Sequence, residues 1–119
     1  MSPALADDPV ALEAAHLQEL RRGTVVVAAL LALREPGYGY ALLEQLALAG
    51  IDVDANTLYP LLRRLEMQGL LTSEWNTDES RPRKFYRTSP SGEQLTTVLL
   101  ADARRTLDAL GRLVEGETS

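Results

Sequence analysis

The chain has no cysteine, a single histidine, one tryptophan and one phenylalanine in 119 residues. Without a thiol there is no disulfide scaffold, no thiolate metal ligand and no cysteine nucleophile. One histidine excludes a histidine-rich metal site within one subunit, and His16 beside Glu13 and Glu19 reads as part of an exposed, ion-paired helix face. No stretch approaches the roughly 20 uninterrupted apolar residues that span a bilayer. The longest apolar run, residues 25–33, follows Arg21 and Arg22, begins late for an export signal and precedes no small-residue cleavage site. A cytoplasmic protein without membrane contact is expected. Gly-rich phosphate loops are missing too, since Gly37-Tyr38-Gly39 has no strand ahead of it. No nucleophile, base and orienting group are set out together, so no cofactor and no enzymatic activity are expected.

What is present fits one small domain with a long terminal helix. The hydrophobic fraction of 45% is enough for a packed core. The net charge of −5 argues, as a sum, against a nucleic-acid partner, but its distribution argues otherwise. Residues 57–88 carry six basic side chains (Arg63, Arg64, Arg81, Arg83, Lys84, Arg87) against four acidic ones, a local +2. Binding to a polyanion depends on the potential at the contact face, which a global sum does not report.

Residues 1–8 lack periodicity and read as a loose arm. Pro9, then Val10, Leu12, Ala14, Ala15, Leu17 and Leu20, predicts a short amphipathic helix closed at Gly23. Residues 24–34 are apolar nearly all round, so a helix there is buried on several sides. A helix follows Tyr38-Gly39-Tyr40 and closes at Gly50. Asp54 then caps a fourth, whose Leu58, Leu61, Leu62 and Leu65 share one face. Pro60 is expected in its first turn or so, where a missing N–H costs little. After Gly69 the period shortens. Residues 70–75 read as a strand with Leu71, Ser73 and Trp75 on one side, and residues 83–88 as its hairpin partner across a polar turn. Ser89 and Pro90 open a last helix whose Leu95, Leu99, Ala103, Leu107, Leu110 and Val114 form one stripe.

Helices followed by a two-stranded hairpin describe a winged helix-turn-helix: mainly α with a β-hairpin wing, plus an N-terminal helix and a C-terminal dimerisation helix. The expected divisions are residues 1–22 for arm and first helix, 23–89 for the winged-helix DNA-binding domain, and 90–116 for the dimerisation helix. Asn56, Thr57, Tyr59, Pro60, Arg63 and Arg64 occupy the polar face of the candidate reader helix. Amide, hydroxyl and guanidinium groups at that end suit base edges and phosphates of double-stranded DNA. Arg81, Arg83 and Lys84 on a proline-stiffened turn suit a phosphate backbone or minor groove, although cations on an exposed hairpin also discourage edge pairing. Trp75 reads equally as an anchor between wing and core or as a functional group.

Tyr38-Gly39-Tyr40, the run Thr57-Leu58-Tyr59-Pro60-Leu61-Leu62-Arg63-Arg64-Leu65-Glu66, Gly69-Leu70-Leu71, Arg83-Lys84-Phe85-Tyr86-Arg87-Thr88 and Gly92 together resemble the PadR family of bacterial transcriptional regulators, in its compact subgroup with a single C-terminal helix. The resemblance covers about residues 20–95. It implies a dimeric repressor whose C-terminal helix crosses to its partner, with Thr57, Tyr59, Pro60 and Arg63 at the DNA face and Arg83 and Lys84 on the wing. It also implies a site between subunits for aromatic or drug-like effectors, for which Trp75, Leu99 and Ala103 are candidates. Glu79-Ser80-Arg81-Pro82 departs from the glycine that relatives often carry at the wing turn. A helix with a long apolar stripe and no later element to cover it independently calls for a second copy. Two-fold symmetry then sets the reader helices roughly 34 Å apart on a pseudo-palindromic operator. Three other readings stay open: a winged-helix module that binds protein, a small-molecule carrier or enzyme, and a metal sensor sharing His16 and carboxylates between chains.

Overall fold

The computed structural model describes residues 8–78 and 80–116. The arm expected from Met1 lies, up to Asp7, outside the described residues, as does Glu79. The described elements run in the order α1 (Pro9–Arg21), α2 (Thr24–Ala32), β1 (Gly37–Tyr38), α3 (Gly39–Leu48), α4 (Ala55–Met67), β2 (Leu71–Asn76), β3 (Arg83–Thr88) and α5 (Pro90–Val114). Among the described residues no helix is long and apolar enough to cross a membrane.

Local chemistry sets most of the boundaries. Asp8, Asp54 and Ser89 each accept backbone N–H bonds at the start of a helix, Asp54 from Thr57 at 2.8 Å and Ser89 from Gly92 at 3.0 Å. At the far ends, Gly50 and Gly69 take positive φ and close α3 and α4. The bonds Ile51 N–H to Leu46 C=O and Leu70 N–H to Leu65 C=O then turn the chain out of each helix. Pro60 departs from expectation: it is the sixth residue of α4, not a first-turn residue. Its ring nitrogen therefore has no proton for the Asn56 carbonyl, one turn earlier, in a helix that the buried leucines hold in place.

The core lies where α2, α3 and α4 meet. Ala29, Leu30, Leu33, Leu42, Leu58, Leu62 and Leu65 are almost wholly excluded from solvent, with Leu71 and Tyr86 closing it from the sheet side. The helix expected over residues 24–34 thus forms as Thr24–Ala32 with Leu33 as its cap, and it is buried on several sides as its hydropathy predicts. The wing is a three-stranded antiparallel sheet in the order β1-β3-β2, not a hairpin alone. β1 contributes two residues, with Gly37 opposite Tyr86 and Tyr38 opposite Phe85. Two residues are too few to show a period of two, so this strand leaves no pattern in the sequence.

The junction between β3 and α5 is built from close polar contacts. The Thr88 hydroxyl donates to Leu30 C=O (2.7 Å), and the Ser89 hydroxyl to Gly69 C=O (2.6 Å). Gly92 faces the Leu70 carbonyl so closely that a Cβ would overlap it. An ion pair, Arg34 Nε to Glu93 Oε1 at 3.1 Å, joins the loop after α2 to the first turn of α5. Beyond that turn α5 leaves the body. Leu95 and Leu99 pack at the margin of the core, whereas Leu107, Leu110, Leu113 and Val114 are exposed. α1 also stands clear, and none of its residues is buried.

Candidate nucleic-acid interface

The outward face of α4 is polar because its inward face is fully used. Leu58, Leu61, Leu62 and Leu65 are buried, which turns Asn56, Thr57, Pro60, Arg63 and Arg64 to solvent. Tyr59 is placed differently from the other expected reader residues. It is half-buried, and its ring lies against the backbone of Gly39 at the start of α3, where a Cβ would overlap it. The tyrosine therefore locks the two helices of the turn motif together, and glycine at 39 is what admits the ring.

The wing is fastened to the helices at two places. On one face Arg83 donates from Nη1 to the Tyr40 hydroxyl at 2.6 Å, and its guanidinium carbon lies 5.8 and 5.5 Å from the ring centres of Tyr38 and Tyr40. Those rings stack at 5.7 Å, Tyr38 meets the edge of Phe85, and Asn76 donates to the Tyr38 hydroxyl at 2.7 Å. On the other face Glu66, near the end of α4, accepts from the Ser73 hydroxyl of β2 and from Lys84 Nζ of β3, the latter at 3.0 Å. The Ser73 hydrogen bond, with Lys84 beside it, holds the Glu66 carboxyl below its ordinary range. The Glu66 carboxylate in turn holds the Lys84 ammonium above its own.

Among the wing residues expected from sequence, then, Arg81 is exposed near the tip, while Arg83 and Lys84 are half-buried and engaged with the helices. Tyr38, Tyr40, Glu66, Ser73 and Asn76 were not expected as site residues, although Tyr38, Tyr40 and Glu66 stand in the runs that carry the family resemblance. Glu66 leaves a further trace. It follows Leu62 by one helical turn, on the side of α4 that faces the fold, where a carboxylate needs a partner.

Trp75 is 63% exposed, so it is not an anchor in the core. A cleft of about 920 Å³ opens between α1, the start of α2, the loop before α4 and α4 itself. It is lined by Leu17, Arg21, Val26, Val53, Thr57 and Arg64 among others, and none of Trp75, Leu99 or Ala103 borders it. No group of three or more His, Asp or Glu side chains among the described residues is placed to hold a metal ion.

A helix-turn-helix with a polar outer face, followed by a sheet that carries cations, is the arrangement of winged-helix DNA readers. The family model for "Transcriptional regulator PadR-like family" matches residues 27–97, from within α2 into α5. The chain belongs to the PadR-like family. PadR-like proteins are transcriptional regulators and not enzymes, and this one shares their mainly helical fold with a small antiparallel wing. It is 40% identical over 82 residues to the transcriptional regulator Rv3488 of Mycobacterium tuberculosis, covering 69% of this chain and 73% of that one. A crystal structure of a PadR family transcriptional regulator from Eggerthella lenta is 50% identical, with a TM-score of 0.83 over 87% of this chain and 93% of that chain. A transcriptional regulator from Clostridium thermocellum is 25% identical, with a TM-score of 0.75 over 81% of this chain and 98% of the other.

Proposed function

We propose that this PadR-like regulator is a cytoplasmic homodimeric repressor that reads a pseudo-palindromic operator and is released by a small aromatic or drug-like effector. The observation that carries the DNA reading is the sidedness of α4. Four leucines fix the helix to the core, and that leaves Asn56, Thr57, Pro60, Arg63 and Arg64 together on the open side. Asn56 and Thr57 lie at the end of the helix that enters a major groove first, and Arg63 and Arg64 follow one to two turns later. Arg81, exposed near the wing tip, adds a further cation.

The dimer is supported by the second half of α5. Leu107, Leu110, Leu113 and Val114 are 48–88% exposed on a single helix, which is more apolar surface than an isolated helix end keeps in water. Exposed Val10, Leu12 and Leu20 on α1 offer further area. Trp75 and Ala103 are open to a second subunit and remain the proposed effector contacts together with Leu99. An effector acts only through a difference in affinity between the DNA-competent and released geometries of the dimer.

DNase footprinting of the DNA upstream of the protein's own gene tests this reading. The expected result is protection of two half-sites about one helical turn apart, lost on adding an effector. Uniform cleavage at saturating protein rejects it.

A further inference from the structure

Sequence places Lys84 on the wing as a phosphate contact. We infer that Lys84 is instead a positioning residue: held by Glu66, it fixes the angle between wing and reader helix and makes no phosphate contact of its own. This inference rests on the DNA-reading function proposed above.

Three observations support it. Glu66 uses both carboxylate oxygens on the wing, Oε2 for Ser73 and Oε1 for Lys84, so one side chain of the reader helix holds both long strands. Lys84 Nζ also lies 5.4 Å from the ring centre of Tyr86, which is buried in the core. Finally, the register sets Ser73 opposite Tyr86 and Trp75 opposite Lys84, and directly opposed residues share a face of the sheet. All four therefore belong to the side of the wing that turns toward α4.

An ammonium bound this way carries no spare charge. Reaching a phosphate requires leaving both Glu66 and Tyr86, and the Lys84–Glu66 pair as a unit is neutral. It releases no counterions when the protein docks on DNA. The wing's phosphate attraction then rests on its exposed arginines, Arg81 near the tip and Arg87 on β3. The Glu66 pair supplies rigidity, because a reader helix and a wing that keep one angle meet adjacent grooves without an ordering cost at each encounter.

The test uses the full-length protein and a random-sequence duplex, with fluorescence anisotropy at several salt concentrations. Glu66→Gln and Lys84→Met are close in size to the residues they replace. The expected result is that each weakens binding about three- to ten-fold, with the double variant no weaker than the worse single. Both should leave the slope of log K against log salt unchanged, while Arg81→Ala reduces its magnitude by about 0.9. Two results overturn the inference: a slope reduced by about 0.9 in Lys84→Met, or tighter binding by Glu66→Gln. The second is what removing a negative charge beside a true phosphate contact produces.

Trp75 gives a readout that needs no DNA, since it is the only tryptophan and pairs with Lys84 across the strands. Glu66→Gln and Lys84→Met should shift its emission in the same direction. Unchanged emission in both variants overturns the inference, as does duplex binding that neither variant weakens. A wild-type protein that binds no duplex, with the emission shifts intact, overturns the DNA-reading function instead.

Discussion

Arg83 on the wing and Tyr40 at the start of α3 are joined by a 2.6 Å hydrogen bond from Nη1 to the phenol oxygen, with the guanidinium carbon 5.5 Å from the ring centre. Forty-three positions apart in sequence, these residues bring the cationic strand of the wing against the first turn of the helix-turn-helix. Tyr40→Phe keeps the ring and deletes the acceptor. The account predicts an affinity for DNA about three-fold lower with little change in melting temperature, since Tyr40 is half-exposed and a single such bond contributes modestly. Anisotropy and thermal melts on the same samples check both parts. Tyr40→Ala, which removes the stacked ring as well, should weaken binding further.

Gly92 tests the packing of α5 on the wing. A methyl group there meets the Leu70 carbonyl and the Thr88 side chain, and the carbonyl belongs to backbone that accepts the Ser89 N–H bond. Gly92→Ala should lower unfolding stability by about 1–3 kcal/mol through overpacking, although alanine is the better helix former. Urea titration monitored by circular dichroism measures it.

The Glu66–Lys84 pair sets a pH window. Glu66 is held below its ordinary value of 4.5, so its stabilisation is complete above that value and is lost as pH falls through the lowered one. Lys84 is raised above 10.5, so its share is complete below that value and is lost as pH rises through the higher one. The groups facing Glu66 are the Ser73 hydroxyl from β2 and Lys84 from β3, with Tyr86 beside the lysine. Trp75 emission should therefore be flat between about pH 5 and pH 10. It should change at the acid end in wild type, with that step absent in Glu66→Gln.

Much of this architecture was legible from residue patterns, for identifiable reasons. Leu58, Leu61, Leu62 and Leu65 recur at helical spacing, Asp54 caps and Gly69 closes, so α4 and its exposed face could be read directly. The alternation of Leu71, Ser73 and Trp75 on one side of β2 was equally visible. The ties between wing and helices were not. Arg83 with Tyr40 and Lys84 with Glu66 are separated by 43 and 18 positions, and their pairing follows from tertiary placement that no local period encodes. Pro60 misled for a related reason. Its cost in mid-helix is a local rule, and four buried leucines override it.

The exposed half of α5 makes the assembly testable. Leu110→Asp places a charge on the apolar stripe without touching the core, since Leu110 is 48% exposed and lies past the last contact of α5 with the core margin at Leu99. Sedimentation velocity should show a dimer for wild type and a monomer for the variant, with far-UV circular dichroism largely retained. Operator affinity should fall at least about ten-fold when the two half-sites are no longer bound as a unit.

The central claim is that the outer face of α4 reads DNA sequence. Its most direct test is fluorescence anisotropy on the upstream DNA of the protein's own gene against a scrambled duplex, with wild type and Arg63→Ala compared across salt. The account predicts a clear preference for the upstream DNA, a negative slope of log K against log salt, and a marked loss of that preference in Arg63→Ala. Equal, weak binding to both duplexes that Arg63→Ala leaves unchanged would contradict it.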